Sequence, residues 1–184
     1  MDRDIFEVKI CLANKQMKNA WRSEVRSLLS QADKEFLPPL SARNSTSQKE
    51  LKTRKFLENG VENYFQEMWA QEFLLATVGA REKLLAGFMS YKNGYEVSLP
   101  GGSIKSWYVS TVVVAPEFRG QGITTRFYTE LQNRAKIAKY PIVTRTWSTN
   151  LAHLKILHQL GFKMVMRLPN DRGEGIDTLY YKWG

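Results

Sequence analysis

One cysteine and two histidines in 184 residues exclude several kinds of chemistry at once. Cys11 has no partner for an internal disulfide, and a reducing cytoplasm is the expected compartment. A Cys/His zinc site would need more ligands than the chain holds, so no metal is expected. No apolar run approaches the ~20 residues that a membrane-spanning helix requires. The N-terminal MDRDIFEVKI is charged where a signal peptide would be apolar. There is no internal repeat and no low-complexity tract.

Acidic residues are scarce in one place. Between Ser98 and Asn170 only Glu117 and Glu130 stand against ten lysines and arginines, within a net charge of +9 for the whole chain. Such a local excess points to an anionic partner; a generally basic, soluble surface is the other reading. Nucleic acid is disfavoured as that partner, because the basic residues are scattered through helices and strands without a reader motif.

What is present suits one globular domain, with 43% apolar and 24% charged residues. Periodicity predicts a strand at Phe6–Ala13 and a helix from Gln16 to Ala32, ended before Pro38-Pro39. A polar loop from Ser41 leads to a helical region at Glu50–Gln71. Strands follow at Phe73–Val78 and Leu84–Tyr91, joined through Gly79–Lys83, with turn signals at Asn93-Gly94 and Pro100-Gly101-Gly102. Next come a strand at Trp107–Val114 and a helix with Ile123, Phe127, Leu131, Ala135 and Ala138 on one face. A strand at Ile142–Ser148 and a helix at Asn150–Leu160, capped by Gly161, precede a strand at Phe162–Leu168. In that strand Phe162, Met164, Met166 and Leu168 alternate onto one side, and Thr178–Trp183 closes the chain. The order β-α-α-β-β-β-α-β-α-β-β predicts an α/β (α+β) domain, a mixed sheet covered by helices.

The segment APEFRGQGIT, Ala115–Thr124, links the apolar strand to the following helix. A helix start presents free N–H groups and the positive end of the helix dipole, which together bind phosphate. Gly120 and Gly122 let a ligand approach the backbone, and Arg119 adds a planar cation matched to phosphate oxygens. The dinucleotide pattern G-x-G-x-x-G fails at Thr125, and the Gly-Lys-Ser/Thr ending of a P-loop is absent. A tight turn with a solvated cation is the plain alternative.

The stretch Val114-Ala-Pro116-Glu-Phe-Arg119-Gly-Gln-Gly122-Ile-Thr124 resembles the acyl-CoA-binding motif of the GNAT superfamily, V-x-P-x-x-R-G-x-G-x-G/A. Asn150 to Phe162 is similar to that family's second motif, N-x-x-A-x-x-x-Y-x-x-L-G-F. The likeness runs from about Phe73 to Trp183, and the N-terminal helices match only in kind. It implies a mostly antiparallel central sheet with splayed parallel strands at its centre, acyl-CoA lying in the gap. It also implies acceptor-side helices over residues 1–72 and an acyl-CoA core over 73–184. Carried over, Val112, Val113 and Val114 face the pantetheine and acyl carbonyl, and N–H groups from Arg119 through Gly120, Gln121, Gly122, Ile123 and Thr124 to Thr125 hold the pyrophosphate. Asn150 bonds the pantetheine; beyond what the resemblance implies, Arg126, one turn into the helix, is read as a further phosphate contact. The implied activity is an acetyl-CoA-dependent N-acetyltransferase acting on the amine of a small metabolite or peptide. A CoA-binding module with weak or lost catalysis is the alternative, and a homodimer is allowed.

Two departures bear on mechanism. Thr124 replaces the third small residue of the loop, and the tyrosine that often protonates the departing thiolate falls at Leu157. Leu157 is read as a core residue, with His153 one turn earlier as the candidate proton donor; a buried or capping histidine is its plain reading. No carboxylate lies between Lys105 and Ala115, so Tyr108, Ser110 and Thr111 are the polar candidates near the reacting centre. Glu72 and Glu96 read as solvated carboxylates, and nothing marks Cys11 as activated. Trp21, Tyr64, Phe65 and Trp69 read mainly as core. Arg43, Lys49, Lys52, Arg54 and Lys55, in the loop beside the expected acceptor site, predict an acceptor that is neutral or carries an acidic group beside its amine. A solvated loop that touches no substrate is the alternative.

Overall fold

The computed structural model describes residues 7–51, 60–79 and 83–184. Seven strands form one sheet: β1 (Lys9–Leu12), β2 (Glu72–Val78), β3 (Leu84–Leu99), β4 (Gly102–Val114), β5 (Ile142–Trp147), β6 (Lys163–Leu168) and β7 (Thr178–Trp183). Their spatial order is β1-β2-β3-β4-β5-β7-β6. Every neighbouring pair is antiparallel except β4 and β5, which run parallel at the centre. The helices are α1 (Lys15–Ala20), α2 (Arg22–Ala32), α3 (Gly60–Trp69), α4 (Ile123–Ala138) and α5 (Leu151–Gln159).

Side-chain alternation divides the sheet into two cores. Leu74, Met89, Trp107 and Val109 pack against Phe127, Tyr128 and Leu131 of α4 and Leu157 of α5. Phe73, Leu75, Phe88 and Val113 pack the opposite face against α2 and α3 through Leu29, Tyr64, Phe65 and Met68. A β carbon on Gly60 would fall 1.9 Å from the carbonyl oxygen of Ser41, so only glycine lets α3 begin against the segment that carries Arg43.

The expected elements differ from those observed in four places. The helix over Gln16–Ala32 is two helices, broken at Trp21, whose φ of −106° and ψ of 11° leave the helical region. Of Glu50–Gln71, the helix spans Gly60–Trp69, and residues 52–59 with Lys52, Arg54 and Lys55 lie outside the described residues, as do residues 80–82 of the expected hairpin connection. Asn93-Gly94 makes no turn; it is a bulge inside β3, which runs on to Leu99, and the chain reverses at Gly101 and Gly102. The alternation expected along Phe162–Leu168 is interrupted by a register shift between Met164 and Met166, and Met164 is 53% exposed while Phe162 is buried. As the edge strand, β6 has one neighbour only, which tolerates that irregularity.

Candidate active site

The two parallel strands pair for three residues and then part. Trp107, Tyr108 and Val109 align with Ile142, Val143 and Thr144, and the ladder stops there. The cause lies on the other side of β4. Its register with β3 passes from Tyr91–Val109 to Ser90–Thr111, leaving Ser110 as an extra residue. Such a bulge bends its strand and sharpens the local twist. Ser110 and Thr111 consequently both reach the α3 side: Ser110 Oγ donates to Gln71 Oε1 at 2.6 Å, and Thr111 Oγ1 meets Tyr64 Oη at 2.9 Å. Beyond the bulge the β5-facing edge of β4 has no ladder partner, and a cavity of about 390 Å³ opens between the strands.

At the mouth of that cavity the chain turns from β4 into α4. Gly120 (φ 75°) and Gly122 (φ 72°) occupy the left-handed region, and no other atom lies within 4 Å of where a β carbon would stand on either. The glycines therefore serve a backbone shape and an open approach. Gly122 takes the N-cap position of α4 and supplies no side chain to the first N–H groups, which stay free for an external acceptor. Arg119 is fixed across the turn: its Nε donates to the Val114 carbonyl at 3.0 Å, and its Nη2 meets both carboxylate oxygens of Glu35 at 2.9 Å.

Opposite, Asn150 caps α5, its Oδ1 accepting from the backbone N–H of His153. His153 lines the cavity and stacks on Tyr128, with Nε2 2.9 Å from the tyrosine hydroxyl. Tyr128 Oη donates to Thr144 Oγ1 (3.3 Å), which donates to the Val109 carbonyl (3.4 Å). If the Tyr128 proton is spent there, its oxygen accepts from Nε2–H of His153, the tautomer that this network assigns to the ring. Burial holds the imidazole well below its ordinary range, at about 4, so it is neutral at pH 7. A neutral ring whose N–H is committed to Tyr128 is poorly arranged to protonate a thiolate.

The sequence matches the family model described as "Acetyltransferase (GNAT) family" over residues 39–162. The chain belongs to the GNAT acetyltransferase family. No curated protein matches it. Among solved structures it is similar to the Salmonella typhimurium protein yncA, solved with its cofactor acetyl-CoA, at 16% identity and a TM-score of 0.63, covering 96% of this chain and 92% of that one. It is similar to the ribosomal-protein-alanine N-acetyltransferase of Brucella melitensis, at 18% identity and TM-score 0.63, covering 95% and 98%. It is similar also to an N-acetyltransferase of Staphylococcus aureus Mu50, at 16% identity and TM-score 0.61, covering 96% and 98%. These likenesses establish a GNAT fold, as do the seven-stranded mixed sheet and its one parallel pair.

Of the GNAT site residues expected from sequence, Val112, Val113, Val114, Arg119, Thr124, Asn150 and His153 line the cavity. Gly120, Gln121 and Gly122 form the turn between Arg119 and Thr124, Ile123 is buried in the α4 core, and Thr125 follows in the first turn of α4. Two expected residues are elsewhere. Arg126 turns away and donates from Nη2 to the Val8 carbonyl at 2.6 Å, tying β1 to α4. Tyr108 is 2% exposed and packs with Val97, Val143 and Tyr180 beneath the point where the strands part. Burial raises its hydroxyl far above the ordinary tyrosine range, and it does not line the cavity. Leu157 is fully buried against the sheet, as expected of a core residue.

Three charged cavity residues are additional to those expected from sequence: Glu35, Arg145 and Arg172. Arg43, expected in a loop beside the acceptor site, lines the cavity and is 4% exposed rather than solvated, its Nε and Nη2 donating to the Pro38 carbonyl at 3.1 and 2.9 Å. Arg172 is 3% exposed and donates to Thr178 Oγ1 and the Leu37 carbonyl. Arg145 stands in the middle of a buried strand, which was the available signal. Among the described residues no group of three or more His, Cys, Asp or Glu side chains could hold a metal ion, and no helix is long and apolar enough to cross a membrane.

Proposed function

We propose that this GNAT protein transfers an acetyl group from acetyl-CoA to the primary amine of a small metabolite or peptide, by direct attack of the amine on the thioester. One observation carries the reading. The parted strands β4 and β5 enclose a cavity whose mouth is an uncapped helix start preceded by two left-handed glycines. Those N–H groups and Arg119 suit a pyrophosphate, the unpaired edge at Val112–Val114 suits the amide-bearing pantetheine arm, and the Asn150 amide nitrogen is left to bond it. In the reaction a C–N bond forms as the C–S bond breaks; the amine gives up a proton and the thiolate gains one.

The protein's own contribution is mainly positional. An amine arrives protonated at neutral pH and must lose that proton before attack. Glu35 is the sole carboxylate lining the cavity among the described residues. Backbone N–H groups at the free edge of β4 polarise the acyl carbonyl, and held geometry supplies much of the rate.

The test is calorimetric titration with CoA, followed by measurement of free thiol released from acetyl-CoA with a panel of amines. Binding with amine-dependent release supports the transferase. Binding without release at any amine supports a CoA-binding module, which the buried Leu157 at the family's tyrosine position favours. Absence of CoA binding removes both.

A further inference from the structure

Three arginines from three separate segments converge on one wall of the cavity. Arg43 follows the short 3₁₀ turn Leu40–Ala42, Arg145 is central in β5, and Arg172 lies in the loop between β6 and β7. On β5, Thr144 faces α4 through Tyr128, so Arg145 faces the opposite side, the side of α2 and α3. The three are held together by aromatic and backbone groups. Arg43 lies 5.4 Å from the ring centre of Phe36 and Arg172 5.5 Å from that of Trp147, and the two rings pack 6.1 Å apart. Arg43 and Arg172 also share the carbonyl of Leu37.

Their charge is not answered by a carboxylate among the described residues. Their acceptors among the described residues are carbonyls and hydroxyls: Pro38, Leu37, Gln48, Thr178 and Tyr180. None of the three takes part in an ion pair there. Asp171, beside Arg172, spends its oxygens on Thr178 Oγ1 and the Leu51 N–H and meets Arg172 through that hydroxyl. Nη2 of Arg145 is buried with no hydrogen-bond acceptor among the described residues. Burial, with the neighbouring Arg43 and Arg145 charges, pushes Arg172 down to about 9, and burial pushes Arg43 down to about 10. All remain charged at neutral pH. Carbonyl dipoles offset part of the desolvation of a guanidinium but supply no counter-charge, and a buried unpaired cation is costly.

We propose that these arginines form the anion pocket of the acceptor site, and that the acceptor is a small amino acid whose carboxylates, two in the best-fitting case, seat on Arg145 between Arg43 and Arg172. Three guanidiniums against one indirect carboxylate leave about two positive charges, which a dicarboxylate neutralises. The planar fork of arginine matches a carboxylate in a bidentate pair. The arginines face the α2 and α3 side of the sheet, and Arg119 and Thr124 of the glycine turn line the same cavity. The inference rests on the transferase reading for the amine's fate and on the arginines alone for the anion.

Two measurements test it separately from that reading. First, wild-type protein is titrated with glutarate and with L-glutamate by thermal shift, against sodium chloride and sulfate at equal ionic strength. The proposal expects saturable stabilisation by the carboxylates beyond that of either salt; equal effects overturn it. O-phosphoethanolamine in place of glutamate distinguishes a phosphate site from a carboxylate site, and stronger binding of it overturns the carboxylate assignment. Second, acceptor kinetics compare wild type with Arg145→Gln and Arg145→Lys. The expected result is a KM for glutamate raised tenfold or more in Arg145→Gln and less in Arg145→Lys, with unchanged CoA affinity by calorimetry. Weakened CoA binding with unchanged carboxylate stabilisation would assign the arginines to the cofactor and overturn the proposal. Carboxylate binding without any CoA binding would instead sink the transferase reading and leave the anion pocket standing.

Discussion

The Arg119 guanidinium meets both carboxylate oxygens of Glu35 at 2.9 Å, joining the glycine turn before α4 to the short 3₁₀ turn after α2. Both side chains are about half exposed, so the pair contributes little to stability, of order 0–1 kcal/mol. Its importance is to ligand binding, because a diphosphate must share Arg119 with Glu35 or displace it. Glu35→Gln removes the competing charge and the repulsion of an incoming anion. CoA affinity measured calorimetrically is expected to rise several-fold in this variant, with a thermal midpoint near that of wild type. A fall in affinity would mean that Glu35 presents Arg119 to the cofactor instead of competing for it.

Gly122 tests the loop itself. Its φ of 72° is one that a side chain strains by about 1–2 kcal/mol, yet open space surrounds the position of a β carbon. Gly122→Ala should therefore lower stability modestly and CoA affinity more. Gly122→Glu adds a carboxylate where phosphate is expected and should abolish CoA binding while the circular dichroism spectrum stays native. Undiminished affinity in Gly122→Glu would place the pyrophosphate elsewhere.

How far this site was legible depends on whether its parts are local in sequence. The turn at Arg119–Thr124 and the Asn150 cap are local: each is a short stretch whose residue types dictate its backbone, and each has the conformation those types require. The bulge at Ser110 is not local, because it exists only as a mismatch of register with β3, and nothing in Val109-Ser110-Thr111 alone announces it. The arginine cluster is less local still. Arg43 and Arg172 meet at one carbonyl although more than a hundred residues separate them. Arg43 was legible as a cation beside the acceptor site but not as a buried one, and Arg145 carried a signal of its own, a charge within Ile142–Trp147 on the face shared by Val143 and Trp147, where an ordinary strand would bury an apolar side chain. Similarly, Asn93-Gly94 had the composition of a turn, but the long β3–β4 pairing carried the chain through it as a bulge.

His153 gives a pH prediction. Its imidazole titrates at about 4 in the folded chain because burial disfavours the cation, against an ordinary value of about 6.5 in the unfolded chain. Above pH 6.5 both forms are neutral and the residue contributes no pH dependence. As pH falls from 6.5 towards 4 the unfolded chain takes up a proton that the folded chain refuses, and stability is lost. The loss is at most about 3 kcal/mol, and less to the extent that the cavity wets the ring. Urea unfolding at pH 7.5 and pH 5 should show a larger decline for wild type than for His153→Gln. The same neutrality predicts that turnover has no inflection near pH 6.5 assignable to His153. Identical declines in the two proteins would mean that the ring is already solvated.

Leu157 occupies the place where the family motif often has tyrosine, and restoring that residue distinguishes a lost catalytic group from a repacked core. The side chain is fully buried in the cluster that includes Phe127, Tyr128 and Phe162, whereas Ala152, His153 and Ile156 are the α5 residues that line the cavity. Tyrosine there adds a larger ring to a filled core, at a cost of about 1–3 kcal/mol, and buries a hydroxyl with no acceptor prepared for it. Leu157→Tyr should therefore lower the thermal midpoint by several degrees and leave kcat with acetyl-CoA unchanged or reduced. Its CoA affinity should stay near wild type, since Leu157 is not among the residues lining the cavity. An increase in kcat of tenfold or more at an unaltered midpoint would show that position 157 reaches the reacting centre, and the chemistry would then run through a tyrosine that this chain has given up.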